Sequence, residues 1–216
     1  MTLLSDVPAP RREQPGPVSP GGDDVATGPP GPAGSPGPAG PPGPAGPPGP
    51  AWLCPGEGGR GRPGPVWLCP ERLGQIAGAA AARPERWSRL VRFDAGRRWF
   101  RRLELADDHE VWLLSWLPGQ STGFHDHGAA AGAFAVALGQ ARERTAAGQG
   151  RVRERTVARG GIRSFGSRYV HDVANASAGP AITVHAYSPP LTAMRRYELT
   201  GSGLVHIATE HAERDW

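Results

Sequence analysis

Lysine is absent from this 216-residue chain, so all 24 basic residues are arginines. We read that as the codon preference of a GC-rich genome before reading it as function. Cysteine is nearly absent too: Cys54 and Cys69 are the whole set, and both lie away from every histidine. A disulfide scaffold is thereby excluded, and free thiols in a reducing compartment are expected. Long apolar runs are missing as well. The longest, Val111–Leu117 and Ala131–Leu138, fall far short of a bilayer span. Leu3-Leu4 is all that stands where a signal peptide would carry its apolar core. These absences imply a cytoplasmic protein with no membrane partner. No motif for reading nucleic acid is present either. Residues 67–216 hold 20 arginines against 15 acids, but much of the excess alternates with glutamate, as in Arg142-Glu143-Arg144 and Arg153-Glu154-Arg155. Alternating sign reads as a solvated hairpin, not a phosphate-tracking stripe, so no nucleic-acid partner is expected.

What is present divides the chain in two. Residues 1–66 are dominated by Gly and Pro, whereas residues 67–216 carry six of the seven tryptophans and all seven histidines. From Gly28 to Gly49, glycine recurs at every third position, eight times. That is a collagen-like pattern, but eight triplets are short for a triple helix, so an unstructured extension is preferred to a trimerising stalk. Pro48-Gly49-Pro50-Ala51-Trp52-Leu53-Cys54-Pro55 returns almost verbatim as Pro63-Gly64-Pro65-Val66-Trp67-Leu68-Cys69-Pro70, which suggests a small tandem duplication. The expected organisation is a disordered Gly-Pro-rich tail over 1–66, with 1–62 dispensable, and one folded domain over 67–216.

The folded part opens with helical spacing. Leu73, Ile76, Ala77 and Ala80 make one face of a helix starting at Pro70, weakened by Gly74 and Gly78. A shorter helix is expected from Pro84, with Trp87, Leu90 and Val91 on one side. Beyond Arg92 the pattern becomes short β-like runs: 98–105, 110–117, 124–127, 133–138, 140–145, 152–157, 170–175, 181–187 and 194–199. Many short strands without helical periods between them predict a mostly-β antiparallel sandwich or barrel behind a short N-terminal helical segment.

His125 and His127 are one residue apart, and positions i and i+2 of a strand share a face. Two imidazoles can therefore converge on one ion while Asp126 points away. His171 follows 44 residues after His127, in another β-like run that contains Asn175. Three neutral nitrogens with open coordination sites suit a catalytic Fe, Zn, Cu or Ni. A second pattern lies in the run Arg98–Glu104. Period two puts Trp99, Arg101 and Leu103 on one face, which would bury a guanidinium among apolar neighbours unless an anion meets it. A substrate carboxylate is the expected anion. On a third run, Thr183, His185 and Tyr187 share a face, in line to relay a hydrogen bond.

Gly119-x5-His125-x-His127, with Gly132 and Gly139 beyond it, resembles the first cupin motif, and Gly160, His171 and Asn175 resemble the second. Gly166 and Arg168 depart from it. Gly132 stands where many cupins carry a metal-binding Glu. More narrowly, Trp116–Gly128 and Val184-His185-Ala186-Tyr187-Ser188-Pro189-Pro190 are similar to the cysteine dioxygenase family, over about residues 70–200. The resemblance implies a cupin jelly-roll β-barrel holding Fe(II) on His125, His127 and His171. It implies oxidation of the thiol of L-cysteine to the sulfinate with O2, with Arg101 binding the carboxylate and Thr183, His185 and Tyr187 as the catalytic relay. Thr183 replaces the family's Ser. Gly132 also replaces the cysteine that animal members cross-link to the equivalent of Tyr187, so no thioether forms here. Relatives acting on 3-mercaptopropionate tend to carry Gln at the Arg101 position, which favours cysteine over that thiol or cysteamine. The expected partners are a small thiol and O2, and the expected state is a monomer.

Overall fold

The computed structural model describes residues 52–53 and 67–212; the collagen-like repeat, Cys54 and nearly all of the tail assigned to 1–66 lie outside the described residues. The described residues belong to one compact unit, Pro47–Trp216. The duplicated Trp-Leu pairs form its first ladder. Strand β1 (Trp52–Leu53) lies parallel to β2 (Trp67–Leu68), with Trp52 opposite Trp67.

Helix α1 (Pro70–Ala81) follows, with Pro70 in its first turn, where a missing amide proton costs no hydrogen bond. Its buried stripe includes Leu73 and Ala77, as the spacing requires. The two glycines that weaken α1 prove to have a packing reason. A Cβ at Gly74 would lie 2.6 Å from Ser164 Oγ, and one at Gly78 would lie 2.7 Å from Ile162 Cδ1. They let the helix approach the segment Ile162–Phe165. The second helix expected from Pro84 is instead two 3-10 turns, Pro84–Arg86 and Ser88–Leu90. Trp87 joins them, buried, with its Nε1–H donating to the Ala80 carbonyl at 3.0 Å.

Eleven strands follow among the described residues: β3 (Trp99–Leu105), β4 (Glu110–Trp116), β5 (Phe124–Asp126), β6 (Ala131–Leu138), β7 (Gln140–Ala146), β8 (Val152–Ala158), β9 (Ile162–Phe165), β10 (Asp172–Asn175), β11 (Ala181–Ser188), β12 (Ala193–Thr200) and β13 (Gly203–His211). They form a five-stranded sheet in the order β3-β4-β11-β6-β9 and two three-stranded sheets, β10-β7-β8 and β13-β12-β5. The result is the mostly-β, cupin-like sandwich expected. Strands β9 and β13 were not anticipated. β9 is four residues long with two polar centres, Arg163 and Ser164, and shows no alternation of its own.

The five-stranded sheet is covered on both faces, and β11 at its centre shows the consequence: all eight of its residues are buried. Ile182, Val184 and Ala186 join Leu73 and Ala77 of α1, Val111 and Leu113 of β4, and the alanines Ala131, Ala133 and Ala135 of β6. Small side chains on β6 bring the helix close. The opposite face of the sheet carries Leu114, Trp116, Phe134, Val136 and Tyr187, which pack toward the smaller sheets. Leu73 is fully buried in the helix-side layer. Leu73→Ala is expected to destabilise the fold by about 2–5 kcal/mol, the usual cost of such a truncation, measured as the shift in a urea unfolding curve.

Candidate metal centre

Strand β5 carries His125, and His127 follows directly after its last residue, Asp126; both histidines are buried. His171 precedes β10 and is fixed opposite His125 by an isolated antiparallel bridge. Each residue donates its amide to the other's carbonyl, at 2.9 and 3.0 Å. One ligand nitrogen from each of His125, His127 and His171 falls within 4.8 Å of the others, and among the described residues no acid joins the group.

Hydrogen bonding decides which nitrogens are available. His125 Nδ1 lies 3.0 Å from the Gly123 carbonyl, which only accepts, so that nitrogen carries the proton and Nε2 is free. His171 Nδ1 lies 3.0 Å from Glu143 Oε1, with the same consequence. His127 Nε2 is buried and has no hydrogen-bond partner. A buried orphan of this kind needs an explanation, and a metal ion supplies one. Burial, reinforced by His171 and by the neighbouring histidines, holds His125 and His127 well below the ordinary imidazole pKa. Both are neutral, as a ligand must be. The residues present therefore fit a bound divalent metal.

Gly132 on β6 faces Tyr187 across the ladder. A Cβ there would meet Phe165 Cε2 at 2.5 Å and Tyr187 Cδ1 at 2.8 Å. The Phe165 ring fills the place from which a fourth, carboxylate ligand would reach in, and it stacks on His127 with centroids 5.4 Å apart. Asn175 is no ligand: its Nδ2 donates to the Gly179 carbonyl at 2.9 Å and its Oδ1 accepts from the Ser177 amide. It shapes a turn.

The three residues of the β11 relay are brought together as their spacing required. Trp116 Nε1–H donates to Thr183 Oγ1 at 2.9 Å. That oxygen lies 2.8 Å from His185 Nε2, and His185 Nδ1 lies 3.1 Å from the Tyr187 hydroxyl. An indole only donates. Among the described residues the Thr183 proton then has one acceptor, His185 Nε2, so His185 Nδ1–H points at Tyr187 and the chain runs one way. Burial keeps His185 neutral and pushes the Tyr187 phenol up, so it stays protonated. Its proton is left to donate into the adjoining space, and its ring lies 4.6 Å from that of His127.

That space is a cavity of about 790 Å³ whose lining includes Arg98, Phe100, Trp112, Tyr187, Arg196 and Glu210. Arg101 is not part of it. The alternation on β3 is as expected, but its direction is the reverse. Arg101 pairs with Leu113, on the face that α1 covers, and opens onto a separate depression beside Arg72, Arg83 and Arg86. The cavity receives Arg98 instead, whose guanidinium lies 5.3 Å above the Trp116 ring. Arg98 Nε is buried without a partner, and burial and the nearby Arg196 lower its pKa. Arg196 has both arms on Glu210, at 2.8 and 2.7 Å. Glu143 is the other residue that the alternation of charge concealed. It sits 3% exposed beneath Arg163, at the back of His171. Burial raises its pKa, but hydrogen bonds from His171 and Arg163 outweigh this and hold it below the usual carboxylate range. Its period-two neighbour Ala141, a core residue, was the available signal.

Residues 71–200 match the family described as cysteine dioxygenase type I. The chain belongs to the cysteine dioxygenase family. No curated protein matches it. Among solved structures, a Thermus thermophilus protein is similar at 22% identity and a TM-score of 0.43, covering 48% of this chain and 93% of its own. A Klebsiella pneumoniae protein with a double-stranded β-helix domain is similar at 21% and 0.42, covering 56% and 93%. A cupin superfamily protein of Desulfitobacterium hafniense is similar at 13% and 0.40, covering 47% and 86%. The close approach of Gly132 to Phe165 can be tested directly. Gly132→Ala is expected to cost about 1–3 kcal/mol through overpacking, and adding Phe165→Leu is expected to recover most of it, both measured by chemical denaturation.

Proposed function

We propose that the chain is a cytoplasmic, monomeric thiol dioxygenase that uses Fe(II) on His125, His127 and His171 to oxidise L-cysteine with O2 to cysteine sulfinate. The observation that carries this reading is three clustered imidazoles, with Tyr187 between them and a cavity in which, among the described residues, Arg98 Nε has no hydrogen-bond partner. Iron(II), when bound, would supply the sites for thiolate and O2 and the electrons that activate oxygen toward sulfur. The balance is simple: thiolate and O2 combine to sulfinate, both oxygen atoms are retained, and sulfur is the atom oxidised.

The chain's own residues bind and orient. Arg98 takes the role that the resemblance had given to Arg101, meeting the substrate carboxylate through charge-assisted hydrogen bonds in a site where aromatic rings limit water. Arg196 is held by Glu210 and shapes the cavity floor without offering a free arm. Tyr187, oriented by His185 and Thr183, donates to the anionic group nearest the histidines. Because Arg101 lies outside the cavity, its identity no longer separates cysteine from 3-mercaptopropionate. Arg98 suits either carboxylate and offers cysteamine, which has none, no such contact.

Anaerobically purified protein loaded with Fe(II) is expected to consume O2 only when cysteine is added, and to yield a product heavier by two oxygen atoms. Iron-loaded protein that consumes none is a non-catalytic cupin. Arg98→Gln is expected to raise KM for cysteine about 10- to 100-fold, the loss of a charged hydrogen bond, and to leave cysteamine turnover nearly unchanged. Arg101→Gln should alter neither thiol. We further propose that residues 67–216 are the catalytic domain: deleting residues 1–62 should leave activity unchanged, whereas loss of a trimer and of activity would favour a collagen-like stalk.

A further inference from the structure

The three ligands differ in what stands behind them. His125 donates its Nδ1 proton to a neutral carbonyl, that of Gly123, whereas His171 donates to a carboxylate, that of Glu143. Glu143 is buried on β7, and its second oxygen accepts from Arg163 Nε at 2.7 Å. No acid enters the ligand group itself among the described residues, and the Phe165 ring fills the place from which one would come. We propose that Glu143 supplies, from behind His171, the negative charge that the histidine set lacks, and that Arg163 moderates it. This rests on the metal reading above and makes Glu143 a positioning residue for the ion.

The physical reason is the coupling between the two nitrogens of an imidazole. A carboxylate accepting from Nδ1–H draws that proton toward itself and makes Nε2 a stronger donor, and removing such a partner commonly costs 10–100-fold in metal affinity. A guanidinium on the same carboxylate pulls the other way, because it competes for the charge. The two partners of Glu143 therefore have opposite effects on the metal, although both support the same local packing. A purely structural role for the Arg163–Glu143 pair would give effects of one sign.

The test is the Fe(II) dissociation constant of the full-length protein, measured anaerobically by competition with a chromogenic chelator. Glu143→Gln keeps an acceptor of the same shape and removes the charge. Its affinity is expected to fall about 10- to 100-fold, with a rise in the Fe(III)/Fe(II) midpoint potential, because the oxidised ion gains more from a nearby anion. Arg163→Met is expected to leave the affinity unchanged or to tighten it. Wild-type affinity in Glu143→Gln, or loosening by Arg163→Met equal to that of Glu143→Gln, overturns the proposal. Should Glu143→Gln fail to fold, the Arg163→Met arm decides alone: unchanged or tighter Fe(II) binding supports the proposal and any loosening overturns it. Wild-type protein that binds no Fe(II) at all would instead sink the metal reading itself.

Discussion

The reciprocal pair of backbone hydrogen bonds between His125 and His171 is the constraint on which the site depends. It joins two segments 46 positions apart in the chain, each of which begins or continues a different small sheet. In an antiparallel bridge of this kind, residues directly opposite each other present their side chains to the same side. Two imidazoles are thus aimed together by main-chain bonds alone. His127 is added two residues on, just past the end of β5. The site is therefore a property of backbone pairing, and the side chains behind it only choose tautomers and charge.

How much of this was legible follows from the range over which each signal acts. The line of Thr183, His185 and Tyr187 depends on period two within β11, and the i, i+2 spacing of His125 and His127 spans the end of β5; a sequence displays both directly. The third histidine, His171, was a candidate from its residue type and its β-like run, but its approach to His125 depends on a contact between distant segments that no local pattern displays. Strand β3 carries arginine on both faces, and Arg101 lies outside the lining of the cavity that Arg98 enters. The face with Trp99 and Leu103 packs against the helix-side core but is only partly buried, and Arg101 on it is exposed. The face with Phe100 looked solvated because Arg98, Arg102 and Glu104 flank it in sequence, yet Arg98 and Phe100 line the cavity. Only the direction of the sheet relative to the helix distinguishes them, and no local pattern encodes that. Glu143 was hidden for a related reason, since alternating charges read as solvent-facing until one of the two faces is known to meet the core.

Arginine in this chain repeatedly serves as a lid over a buried acid. Glu110, Asp126, Glu143 and Asp172 are all almost fully enclosed, and they meet Arg102, Arg195, Arg163 and Arg144, whose guanidinium-bearing side chains remain 23–47% exposed. Leaving one partner near water reduces the desolvation that a wholly interior ion pair would suffer. Each acid also holds backbone or a neighbouring side chain: Glu110 accepts the Leu191 amide, and Asp126 accepts the Gly128 amide and the Tyr197 hydroxyl. The same device thus fixes loops at the edge of the cavity and supports one ligand from behind. Arg98 differs in having no such acid beneath it.

The interlock of Gly132 with Phe165 bears on how this lineage can change. A cysteine at 132 would face Tyr187 across the ladder, in the position from which a thioether could form, but the aromatic ring stands in its way. Neither replacement is useful alone: a new thiol collides, and a smaller residue at 165 opens a hole beside two imidazoles. Acquiring the cross-link thus demands paired substitutions with an unfit intermediate, a case of sign epistasis that would keep descendants on the unlinked side of that divide.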